Sequence, residues 1–176
     1  MKRRKRALRT STGTFTVELP FVLWVFFFLL FLPMLNLATT FVRITFLYGA
    51  THNACISAAR ARSFQNPING DPTAVSLAQD GANAYAAAFT GIHILTLDTA
   101  IVTTDIATHK QTIQSTPLTN PADVNTNTYQ VQVTVNGASD PLFPIPSFLP
   151  VSGLNQPLLL TISDRQYFEN PQGLVF

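Results

Sequence analysis

Glu18 stands at the mouth of an uncharged run that extends from Leu19 through Val42, so one carboxylate of this sequence is placed at the edge of a long apolar segment. A charge moved to the centre of a membrane helix costs about 2.5–3.5 kcal/mol on insertion scales, and a carboxylate at its edge calls for a partner. The other groups capable of chemistry are scattered. His52, His93 and His109 lack a short ligand spacing such as His-x-x-x-His, and the single cysteine, Cys55, excludes a multi-cysteine zinc site. Asp98 and Asp105 are an odd number of residues apart in one β-rich stretch and so point to opposite faces. Ser57, Ser63 and Ser152 lie outside any Gly-x-Ser-x-Gly elbow. The histidines therefore read as hydrogen-bonded surface or core residues. Cys55 reads as a buried small residue, with pairing to another molecule as the alternative. No catalytic residue, metal, cofactor or small-molecule substrate is nominated, and an enzyme is not the expectation.

The element that positions Glu18 is the apolar run itself. Its 24 residues would reach about 36 Å as an α-helix, enough to cross a hydrocarbon core of about 30 Å with some tilt. One membrane pass over about residues 19–42 is predicted. Six of the eleven Lys and Arg residues (Lys2, Arg3, Arg4, Lys5, Arg6, Arg9) precede Gly13. Basic residues close to a membrane helix stay on the cytoplasmic side, which puts the N-terminus inside and the large C-terminal part outside. Without that cluster 5 basic residues face 9 acidic ones, a net charge of −4. The basic residues thus form a topology signal rather than a groove-lining patch, and nucleic acid is not an expected partner. Two competitors share the basic start: a secretory signal peptide with a candidate site near Asn36-Leu37-Ala38, and an uncleaved signal anchor. Signal h-regions run to about 7–15 residues, shorter than this run, and Glu18 at its entrance fits them poorly.

A basic cluster, the small residue Gly13, five residues ending in Glu18 and then the apolar run follow one another in that order. This order resembles a prepilin processing site, in which a membrane peptidase cuts after a Gly and the fifth residue of the mature chain is Glu. The resemblance implies a cut between Gly13 and Thr14. The tract Phe15-Thr16-Val17-Glu18-Leu19 is close to the Phe-Thr-Leu-Ile-Glu signature, but one residue separates Thr16 from Glu18. That departure points away from ordinary type IV major pilins and toward the TadE/TadG-like group of tight-adherence (Flp-type) pilus proteins. The resemblance implies a bacterial inner-membrane minor pilin or pseudopilin without a cofactor, whose head lies in the periplasm or on the surface, incorporated in a pilus or acting in pilus assembly or adhesion. It also implies partners: the prepilin peptidase, other pilins or pseudopilins, and inner-membrane assembly-platform proteins. For Glu18 the resemblance implies a role in assembly and processing. The alternative function is an uncleaved single-pass anchor carrying a periplasmic binding module.

Within the run, Pro20 lies near the helix start, where its missing N–H matters little, whereas Pro33 sits mid-span and should kink or loosen the helix. Leu47, Ala50, Ala54, Ala58 and Ala61 recur at helical spacing, with Arg60 and Arg62 closing the segment, so the helix is expected to continue as a stalk to residue 62. The division is then 1–13 leader, 14–62 helix and 63–176 head, the head expected to fold alone. The turn cluster Asn66 to Pro72 is the joint. A second helix is predicted from Asp71 as N-cap and Pro72 as first residue, ending at Gly91. Three β-rich stretches follow, residues 92–106, 129–135 and 158–168, with Tyr129, Val131, Val133 and Val135 on one buried face. Residues 140–157, rich in proline and apolar side chains, read as a long loop folded over the sheet. The fold class is α+β: a long N-terminal transmembrane and stalk helix, then a small head with an amphipathic helix on an antiparallel sheet.

Overall fold

Leucine and phenylalanine from residue 19 onward carry no polar group to compete with the backbone, and the chain is helical from its first described residues. The computed structural model describes residues 15–143 and 151–176. Helix α1 (Phe15–Val25) passes into a π-helical stretch, Phe26–Phe31, and then into α2 (Leu32–Ala59). From Leu19 to Phe31 all side chains but the half-buried Val25 are exposed, and the combined helix is long and apolar enough to cross a membrane. From Leu47 onward the same helix is buried on one side. Leu47, Ala50, Ala54, Cys55, Ala58 and Ala59 all belong to the core, the small residues letting neighbours approach closely.

Two elements close on that side. Helix α3 (Ala74–Ala87) lies along α2 and buries Ala74, Ala78 and Ala82. Its N-cap is Thr73 rather than Asp71: the Thr73 Oγ1 accepts from the Ser76 N–H at 3.2 Å, and the Ser76 Oγ accepts from the Thr73 N–H at 2.9 Å. The helix thus begins two residues later than Pro72, because a reciprocal capping box satisfies two backbone donors where an aspartate alone would satisfy one. Asp71 is instead paired with Arg62 at 3.0 Å. Gly91, at φ +79, turns the chain into the sheet.

The sheet is antiparallel, in the order β2-β1-β3-β4, with β1 at Ile92–Asp105, β2 at Gln111–Gln114, β3 at Asn127–Ser139 and β4 at Leu158–Tyr167. Tyr129, Val131, Val133 and Val135 alternate inward against α2, as expected of a strand with one covered face. The opposite face is polar over much of its length: Gln132 meets Arg165 at 2.8 Å, and Asn136 bridges Thr96 and Thr161. Strand β2 is additional to the three β-rich stretches. It is four Thr- and Gln-rich residues long, joined to β1 through a turn with His109 at φ 56.

The C-terminal segment locks the exit of α2. Phe64 and Gln65 donate their N–H groups to the Phe176 carbonyl at 3.0 and 2.8 Å, and Glu169 N–H donates to the Ala59 carbonyl at 2.9 Å. Gly173, in a 3-10 turn at Pro171–Val175, lies so close to this exit that a Cβ would overlap the Arg62 carbonyl oxygen. Backbone cannot yield as a flexible side chain does. Gly173→Ala is therefore expected to destabilise the head by about 3 kcal/mol or more, seen as a lower denaturation midpoint of the full chain; an unchanged midpoint would show that the turn can move away.

Candidate functional site

Of the residues singled out at the N-terminus, Gly13 and Thr14 lie outside the described residues. Glu18 is exposed in the first turn of α1, and no described cation lies within ion-pair distance of it. A carboxylate in that position also faces the positive end of the helix dipole. Pro33 is the second residue after the π stretch. Proline has no N–H and its ring crowds the carbonyl four residues earlier, and here the turn before it is widened: the Leu32 N–H reaches the Phe27 carbonyl, five residues back.

Beyond Pro33, one amide stands inside the apolar run. Asn36 is fully buried, and its Nδ2 donates to the Phe143 carbonyl at 2.6 Å and to the Leu154 carbonyl at 3.3 Å. Its Oδ1 accepts from the Phe143 N–H at 2.9 Å. Thr40, one turn on, is buried as well and turns its hydroxyl back to the Asn36 carbonyl at 2.9 Å. The described ends of the proline-rich loop therefore lie against α2, not over the sheet. The physical reason is that the helix offers an amide with three bonding positions, whereas the sheet's outer face already pairs its own polar side chains.

Charge reappears one turn further along. Arg43, the first cation after Val42, donates to the Asp140 carbonyl, and the Asp140 carboxylate meets His93 Nε2 at 2.8 Å. The Asp140 N–H donates to the Gly91 carbonyl at 2.9 Å, and a Cβ on Gly91 would collide with the Arg43 guanidinium. These groups tie the helix, the start of β1 and the end of β3 at one level. Beside them a cavity of about 400 Å³ is lined by Val42, Phe46, Phe89 and Leu142 among others. Phe46 and Phe89 stack with centroids 4.0 Å apart.

A second pairing joins α2 to β4, where His52 Nδ1 meets the Asp164 carboxylate at 2.6 Å. Cys55 lies one turn from His52 but turns its Sγ into the core toward the Val131 carbonyl, 3.4 Å away. Burial pushes its thiol up to about 12, and the nearby Asp164 carboxylate adds to the shift. A thiol so protonated is a poor nucleophile at neutral pH, so the histidine and acid act here as a clamp between helix and sheet. Asp105 and Asp123 each fold a local turn. The Thr108 N–H and hydroxyl hold the Asp105 carboxylate below its usual range, and the Asn125 N–H with the Thr126 hydroxyl does the same for Asp123. Among the described residues no cluster of His, Cys, Asp and Glu could hold a metal ion.

Sequence reasoning passed over Asn36 and Thr40. The available signal was that Asn36 is the one amide between Leu19 and Val42, and a polar group inside a membrane segment needs a partner. The partners of His52 and His93 were beyond reach because each lies more than forty residues away in the chain. No protein-family model matches this chain, and neither a curated protein nor a solved structure matches it significantly.

Proposed function

We propose that this chain is a TadE-like minor pilin or pseudopilin of a tight-adherence (Flp-type) pilus or secretion system, matured by a prepilin peptidase and used in pilus assembly or adhesion. The observation that carries the reading is the placement of Glu18 in the first turn of an exposed apolar helix whose far half is the spine of an α+β head. Such a subunit has one helix for lateral packing with other helices and one head for display. The order of basic cluster, Gly13, Glu18 and apolar run supports the same reading, with the N-terminus in the cytoplasm and the head outside the inner membrane. Its partners on this reading are the peptidase, other pilin-like subunits and the assembly platform.

Maturation is the step that separates this function from an uncleaved anchor with a binding head. Glycine is the one residue before the cut without a Cβ, so an extended backbone there can enter a narrow peptidase site. In cells carrying the cognate peptidase, intact-mass measurement is expected to find the wild-type chain starting at Thr14. Gly13→Leu is expected to retain all 13 preceding residues while keeping its topology, since orientation depends on the basic cluster. A wild-type chain that still begins at Met1 would favour the uncleaved anchor.

A further inference from the structure

The end of the head nearest the apolar run carries large apolar side chains that face outward. Leu142, Phe143 and Val151 are 40%, 47% and 41% exposed. Leu95 and Leu159 are more exposed still, near the same end of the sheet, where β4 begins and where a bulge in β1 falls between Ile94 and Thr96. A soluble head gains nothing from such a rim. We propose that this end of the head is a lipid-contacting surface, in which Leu142, Phe143 and Val151, beside the Phe143 and Leu154 backbone that Asn36 holds against α2, enter the outer part of the bilayer leaflet beside the spanning helix. The inference rests on the reading that the helix spans a membrane.

Depth along the helix supports a bilayer as the occupant. A hydrocarbon core of about 30 Å takes about 20 residues, which counted from Leu19 ends near Ala38 and leaves Asn36 inside it. Asn36 lies seven residues before Arg43, or about 10 Å along the axis. An amide at that depth finds no water, and its donors and acceptor must be met by protein. They are met by the backbone at Phe143 and Leu154, which brings the chain beside both residues to the same depth. Interfacial apolar segments bury themselves about 5–10 Å into a leaflet, the range this geometry requires.

Charge marks the boundary. The sequence from Pro141 to Ser163 contains no charged residue, and the ionisable groups Arg43, His93 and Asp140 gather where the loop leaves the sheet. That level suits the headgroup region, where polar groups remain solvated. Pro141 adds to the fit because it brings no backbone N–H to be desolvated.

The test uses the full chain with Cys55→Ala, in vesicles of phosphatidylcholine and phosphatidylglycerol. A single cysteine replaces Phe143 or Val151 and carries an environment-sensitive fluorophore; Leu29→Cys and Asn120→Cys serve as mid-helix and distal-head references. Labels at 143 and 151 are expected to emit to the blue of the label at 120, to be quenched by lipids bearing a nitroxide high on the acyl chain, and to resist aqueous iodide. Iodide quenching equal to that at 120 would overturn the inference, as would shielding from both quenchers, which would mean that protein covers the surface. The label at 29 separates the two readings. If it too escapes lipid nitroxides, the membrane span itself fails; if it is quenched while 143 and 151 are not, the lipid-contacting rim alone fails.

Discussion

Residues 63–176 expressed without the helix are expected to remain unfolded, while residues 43–176 are expected to fold. The composition of the chain points to a break after Arg62, where the small-residue helix gives way to a turn cluster. Packing leads elsewhere. Leu47, Ala50, Ala54, Cys55, Ala58 and Ala59 are at most 5% exposed and fill the space between α3 and the inward face of β3. Removing them would bare Val131, Val133 and Val135 and the small-residue face of α3. Burial of one large apolar side chain is worth about 1.5–3 kcal/mol, so the loss from the three valines alone approaches the total stability of about 5–15 kcal/mol of an ordinary domain. The Phe64 and Glu169 backbone bonds near the helix exit would lose their geometry at the same time. Circular dichroism and denaturant unfolding of the two fragments decide the matter: a cooperative transition for residues 63–176 would refute the role given to α2 as the spine of the head.

How much of this could be read from the chain depends on the range of the interaction. The stripe at Leu47, Ala50, Ala54, Ala58 and Ala61 was visible because burial follows the helical period, and the alternation from Tyr129 to Val135 because one sheet face is covered. Both are local patterns. What lay on the other side of the stripe was not local: it could equally have faced a neighbouring subunit, and only the topology brings β3 and α3 to it. Strand β2 was hidden because Gln111 to Gln114 has neither an apolar face nor length, and its pairing with Ile101 to Thr104 supplies the order. The proline-rich loop is too apolar for a free linker, but the resting place of its described ends depends on Asn36, more than a hundred residues earlier. At the N-terminus the position is reversed. The order of Gly13, Thr14 and Glu18 is plain in the sequence, and on the proposed function its meaning depends on a second molecule, a peptidase or another subunit.

On the proposed function, Glu18→Gln is expected to insert in the membrane and to be cut after Gly13, yet to fail to assemble or co-purify with pilus components. The carboxylate sits in the first turn of α1 at the end of the uncharged run, with no described cation within ion-pair distance. The helix dipole offers an exposed charge there about 0.3–1 kcal/mol, a small return against the cost of holding a carboxylate at the hydrocarbon edge. Cleavage before Thr14 would create an α-amino group four residues from Glu18, about one helical turn. On the proposed function, that amine pairs with Glu18 of the same or a neighbouring subunit, so an uncut precursor lacks the cation and only matured chains satisfy one another. Glutamine keeps the shape and the hydrogen-bonding capacity and removes the charge, which isolates the electrostatic part of the contact. The measurement is recovery of the Gln variant in sheared filaments or in complexes with partner subunits, beside intact-mass proof that it was processed. Assembly at the wild-type level would rule out charge pairing at Glu18 and leave the membrane anchor standing, because the apolar helix does not depend on that carboxylate.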